Sequence, residues 1–224
     1  MNRDLFITPN WTAPATVQAG TSCRQGGVSV APYDSLNPAA HVGDSPAAVA
    51  ANRARLGLPA EPCWLQQVHG TRVAVLEANG QIGIEADAAY SRTPGVICAV
   101  LTADCLPVLL CDRNGQEVAA VHAGWRGLSG GVIEAALDQF QVPADQVLAW
   151  LGPAIGPGAY EIGEEVRQAF VEPDPQATDA FTATRPGHWL MDIYALARRR
   201  LQRRGVEQIS GGEYCTHTDA ARFY

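Results

Sequence analysis

The sequence predicts an α/β (α+β) fold: a single domain over residues 1–224, with a central mixed, largely buried sheet flanked by helices. Three observations carry that expectation. Short continuous apolar runs crowd the middle of the chain, and segments with apolar spacing near 3.6 residues are interleaved with them. The length of 224 residues suits one large core better than two independent ones.

Residues 1–45 are rich in Gly, Pro, Ser and Asn. Arg24-Gln25-Gly26-Gly27 and Tyr33-Asp34-Ser35-Leu36-Asn37-Pro38 carry turn chemistry, so loops and short strands laid on the core are expected. Asp44-Ser45-Pro46 offers a capping side chain and a proline in the first turn of a helix over Ala47–Leu56, which Gly57 ends. The runs Val96–Leu101, Val108–Cys111 and Val118–Val121 are bounded by Asp, Asn and Gly, and predict strands buried on both faces. A helix over Leu128–Phe140 follows, then a buried strand over Val147–Leu151 and helices over Ile162–Val171 and Met191–Arg204. Pro173-Asp174-Pro175 and Arg185-Pro186-Gly187 read as surface loops.

Hydrophobic residues make up 47% and charged residues 17% of the chain, an ordinary globular balance. The formal net charge is -7, and the one dense basic run, Arg198-Arg199-Arg200 with Arg203-Arg204, falls on an amphipathic helix. A solvated helix face explains that run, and no nucleic-acid partner is expected. No window approaches the roughly 18 consecutive apolar residues of a membrane span, and Met1-Asn2-Arg3-Asp4-Leu5 lacks the apolar core of a signal peptide. A soluble cytoplasmic protein is expected, with no membrane contact and with its six cysteines reduced.

Candidate chemistry concentrates at His69, Cys105 and His122. Each lies where an apolar run gives way to Gly, Asp or Pro, in Gln67-Val68-His69-Gly70, Thr102-Ala103-Asp104-Cys105-Leu106-Pro107 and Val121-His122-Ala123-Gly124-Trp125-Arg126-Gly127. Two imidazoles and one thiolate leave a fourth position open, which is a catalytic zinc set, whereas structural zinc closes all four positions with protein ligands. Bound Zn²⁺ would keep about one net positive charge after one thiolate, enough to activate water or hold phosphate. The same ligands describe blue copper, which normally adds an axial Met. Only Met1 and Met191 exist, neither near the three motifs in sequence, so copper is the less favoured cation. Two alternatives stay open at this level: buried structural side chains, and a metal-free hydrolase with Cys105 as nucleophile and His122 or His69 as base. Cys98 and Cys111 read as inert core thiols.

These motifs resemble the bacterial YfiH-like family, also described as laccase-domain or multicopper polyphenol oxidoreductase proteins. The resemblance extends to Arg24 with Gly26-Gly27-Val28-Ser29, Tyr33 to Asn37, His41-Val42-Gly43-Asp44, Asn52-Arg53, Asp87-Ala88 and Leu151 to Pro157. It implies a zinc-dependent purine nucleoside phosphorylase acting on adenosine, inosine and methylthioadenosine, with adenosine deaminase activity at the same site and His69, Cys105 and His122 as ligands. It also implies an Arg-rich closing segment after Tyr224. A laccase activity and a peptidoglycan-editing role attach to the same family, and a non-catalytic module binding cell-wall fragments is a further reading. The chain has five histidines, too few for the several coppers of a laccase.

With a purine nucleoside and phosphate as the expected partners, the remaining candidates take roles. Asp104 is the acid/base candidate. Arg24 and Arg126, both in Gly-rich turns, are candidate phosphate clamps, because a guanidinium fork matches phosphate oxygens. Asn37 and His41 are candidate contacts to ribose or base. Gly152-Pro153 through Gly156-Pro157-Gly158 reads as a pocket wall.

Overall fold

In the computed structural model, which describes residues 1–224, the Gly- and Pro-rich start forms loops carrying two short antiparallel strands, β1 (Phe6–Ile7) and β2 (Thr21–Ser22). Helix α1 (Pro46–Arg55) starts at its proline, but Ser45 makes no capping bond. The neighbouring Asp44 carboxylate instead accepts the Ser29 hydroxyl at 2.6 Å and the Asn37 amide at 2.9 Å, tying the helix to the loop before it. Four strands follow: β3 (Trp64–Gln66), β4 (Val73–Val75), β5 (Ile82–Glu85) and β6 (Ala88–Ser91). At three or four residues each, they are too short for an alternating pattern to register in the sequence.

The expected strand Val96–Leu101 does not form. That run is half-buried and joins no ladder. Side-chain amides occupy its backbone instead: the Ile97 N–H donates to Asn79 Oδ1 at 2.8 Å and the Leu101 N–H to Gln67 Oε1 at 2.7 Å. The other two runs do pair, as β7 (Leu106–Asp112) and β8 (Val118–Ala123), each longer than its apolar run. The helix expected over Leu128–Phe140 is two, α2 (Trp125–Gly130) and α3 (Val132–Leu137), parted at Gly131, whose φ of +100° no helix accommodates.

Strand β9 (Val147–Leu151) is fully buried, as its sequence predicts. Ile162 belongs to strand β10 (Glu161–Gly163), so helix α4 starts at Glu164 and ends at Val171. Pro186-Gly187 turns a hairpin between β11 (Phe181–Arg185) and β12 (His188–Met191). Helix α5 (Ile193–Arg203) is capped by Asp192, which accepts the Ala195 N–H, and β13 (Gln208–Gly211) completes the chain's strands. Four of the five arginines in and just after α5 are ion-paired, Arg199 and Arg203 with Asp174, Arg200 with Glu134 and Arg204 with Asp138, while Arg198 donates to the carbonyls of Ile209 and Gly211. No helix is long and apolar enough to cross a membrane.

One mixed sheet, ordered β13-β9-β7-β8-β6-β4, organises the domain. Side chains alternate between its faces, and β7 and β8 divide accordingly. Leu106, Val108, Leu110, Ala119, Val121 and Ala123 enter the main core with residues of α3 and α5. The alternate set, Pro107 opposite His122 and Leu109 opposite Ala120, faces a cavity of about 1800 Å³ on the other side. Burial on both faces is therefore incomplete: Leu109 and Val118 are only half-buried.

Candidate metal centre

The β7–β8 register, with Pro107 opposite His122, brings the residue just before β7 beside the cavity-facing ring of β8. Cys105 and His122 are joined in this way, although 17 positions separate them in the sequence. His69 arrives from the segment after β3. It is the one non-glycine residue with a positive φ, +59°. Gly124 lets the chain pass behind the trio: a Cβ there would lie 2.8 Å from His69 Cδ2 and 2.9 Å from Cys105 Sγ.

The three donor atoms lie within 4.8 Å of one another, and Cys105 Sγ is 3.7 Å from His69 Nε2. A tetrahedral zinc at ordinary bond lengths would hold such a sulfur and nitrogen about 3.6 Å apart, so this pair has the spacing of a zinc site, and the two imidazoles and one thiol are donors that suit the ion. His122 is buried, Cys105 half-buried and His69 exposed. The open side of the trio therefore faces the cavity.

Asp87, wholly buried at the head of β6, organises both imidazoles. Its carboxylate lies 2.8 Å from His122 Nδ1 and accepts the N–H groups of Val68 at 3.2 Å, His69 at 2.8 Å and Gly70 at 2.7 Å. Burial pushes its pKa up, but these bonds outweigh burial and hold it below the ordinary carboxylate value. Burial likewise lowers His122 against the opposing pull of Asp87, favouring the neutral imidazole that binds metals. The Cys105 thiol is pushed up to about 11, chiefly by burial and then by Asp104 and Asp87. A cation reverses that balance, since metal-bound thiols are deprotonated.

The other sequence candidates divide. Asp104 and His41 are exposed and line the cavity, and Asp104 Oδ1 accepts the Thr216 hydroxyl at 2.6 Å. Asn37 also lines it, but its amide is spent on Asp44 and Ala39. Arg24, the other candidate clamp, donates to the carbonyls of Asp34, Ala220 and Phe223 and to the Asp34 carboxylate, tying two segments together. Arg126 is exposed, free of ion pairs, and stacked on Trp125 at 4.3 Å. Asp87 received no role from the sequence, although an acidic residue between Ala86 and Ala88-Ala89 signals a buried charge that needs partners. Tyr160, whose ring packs against the main core, lies within electrostatic reach of the site. Its phenol is pushed up to about 12 by burial, with Cys105 and Asp104 adding and Arg126 opposing.

Residues 18–224 match the family model described as multi-copper polyphenol oxidoreductase laccase. A Pseudomonas aeruginosa protein named purine nucleoside phosphorylase is 54% identical over 222 residues, covering 98% of this chain and 91% of its own. The purine nucleoside phosphorylase YfiH of Escherichia coli is 53% identical over 223 residues, with the same coverage. A crystal structure from Neisseria meningitidis superposes with a TM-score of 0.91 at 45% identity, covering 98% of this chain and 92% of that one.

Proposed function

The chain belongs to the multi-copper polyphenol oxidoreductase laccase family, and on that premise we propose that it is a zinc-dependent purine nucleoside phosphorylase with adenosine deaminase activity at the same site. The observation that carries the reading is the His69–Cys105–His122 trio, with its open side on a cavity. Relatives named purine nucleoside phosphorylase supply the reaction class. Adenosine, inosine and methylthioadenosine are the nucleosides of this reading, and the cytoplasm is its setting.

A divalent cation bound there supplies Lewis acidity and a positive charge that attracts phosphate. The chain's own groups do the rest. Arg126, unpaired and exposed, holds phosphate through its guanidinium fork. A phosphate oxygen attacks the ribose anomeric carbon, the glycosidic bond breaks towards the purine, and Asp104 handles the proton at the leaving nitrogen. His41 and Asn37 border the cavity where ribose or base would rest. Zinc is preferred to copper because Met191 is locked in the main core and there is one such trio, too little for a multicopper cluster. A thiol held near 11 is a poor nucleophile, which weighs against a metal-free hydrolase.

Metal-quantified protein incubated with inosine and phosphate is expected to release hypoxanthine and ribose 1-phosphate in equal amounts, and nothing when phosphate is omitted. No ribose 1-phosphate from zinc-loaded protein would favour a non-catalytic module. Arg126→Ala is expected to raise the phosphate KM about 10–100-fold, the loss of a charged hydrogen bond, with a smaller change in kcat. An unchanged phosphate KM removes Arg126 from this role.

A further inference from the structure

We propose that Asp87 is the positioning residue of the metal centre, one carboxylate that fixes the tautomer of His122 and the backbone of His69 together. The inference rests on the metal-centre reading above and not on the nucleoside chemistry. An ionised carboxylate only accepts, so with Oδ1 at 2.8 Å the Nδ1 of His122 must carry the proton. That leaves the Nε2 lone pair for the cation. The same Oδ1 accepts the His69 N–H at 2.8 Å, while Oδ2 accepts Gly70 at 2.7 Å and Val68 at 3.2 Å. Three consecutive amides converging on one carboxylate hold the turn in which His69 takes its φ of +59°, a backbone conformation unfavourable to any residue with a Cβ. The main chain adds a further tie, with the His122 N–H donating to the Asp87 carbonyl at 2.7 Å. Two ligands 53 positions apart in sequence thus share one anchor, shielded from water because Asp87 is wholly buried.

Asparagine cannot do both jobs at nearly the same volume. If its amide oxygen faces His122 and His69, its NH₂ meets the Val68 and Gly70 N–H groups, donor to donor. If its NH₂ faces His122, the imidazole proton is driven to Nε2 and the metal-binding lone pair is lost.

The test measures Zn²⁺ affinity by competition with a chromogenic chelator, and the absorption spectrum of the Co²⁺-substituted protein. Asp87→Asn is expected to weaken Zn²⁺ binding about 10–100-fold and to alter the cobalt spectrum. Asp112→Asn is the matched control. Asp112 is also buried and accepts three backbone amides, from Asn114, Gln116 and Glu117, yet touches no ligand. Its variant should bind zinc like the parent. Parent-like zinc affinity and cobalt spectrum in Asp87→Asn overturn the proposal. Should that variant not fold, ¹⁵N NMR of the zinc-loaded parent decides: a proton on His122 Nδ1 and metal on Nε2 support it, and the reverse overturns it. A parent that binds no zinc overturns the metal-centre reading, and this inference with it.

Discussion

Cys105→Ala is expected to lose stoichiometric zinc, phosphorolysis and deamination together, with the activities falling by more than the roughly 100-fold that outer partners of a metal site command. The thiolate is the one anionic donor of the trio, and without it two neutral imidazoles must hold a dication alone. The fold should survive. Cys105 is half-buried and lines the cavity, and the β7–β8 ladder beside it is made by backbone groups that the substitution does not touch. Circular dichroism, metal content and the two activities are the measurements. Loss of deamination alone would separate the two activities and end the shared-site reading, whereas full activity without zinc would end the metal reading.

The trio was legible because each member interrupts an apolar run, and a polar residue at the end of a buried strand is visible without knowing the fold. Their convergence was not legible. It depends on the register that sets Pro107 opposite His122, and on a turn held by Asp87, whose partners at 68–70 and 122 are distant in sequence. The main sheet was half legible for a related reason. β7, β8 and β9 advertise themselves by continuous apolar runs bounded by polar or turn residues, but β4, β6 and β13 are short and gain their place only by pairing. Val96–Leu101 carries the same apolar signal and finds no strand partner, because Asn79 and Gln67 occupy its amides first. Arg24 shows the limit for charged side chains. A Gly-rich turn is equally good at presenting a guanidinium to phosphate and at closing it on carbonyls, and here Asp34, Ala220 and Phe223 take it.

Gly124→Ala should disable the centre without removing any ligand. Gly124 has φ −63° and ψ 160°, which alanine adopts freely, so backbone strain contributes nothing. The effect is steric: the added methyl would sit 2.8 Å from His69 Cδ2 and 2.9 Å from Cys105 Sγ, well inside van der Waals contact with both. Neither neighbour can retreat cheaply. The His69 backbone is pinned through its N–H to Asp87, and Cys105 is held by the start of β7 and by Asp104, whose side chain is bonded to Thr216. Relief must therefore come from rotating the imidazole or the thiol, which spreads donors that now lie within 4.8 Å. Zinc affinity is expected to fall at least tenfold, since a site ~1 Å too loose loses much of its function, with Tm changed by far less than a core truncation would change it. Gly158→Ala serves as the control, because a Cβ there meets nothing within 4 Å. Equal zinc affinity for the two variants would mean that the passage behind His69 and Cys105 is slack, and that the trio's spacing is not set by the glycine.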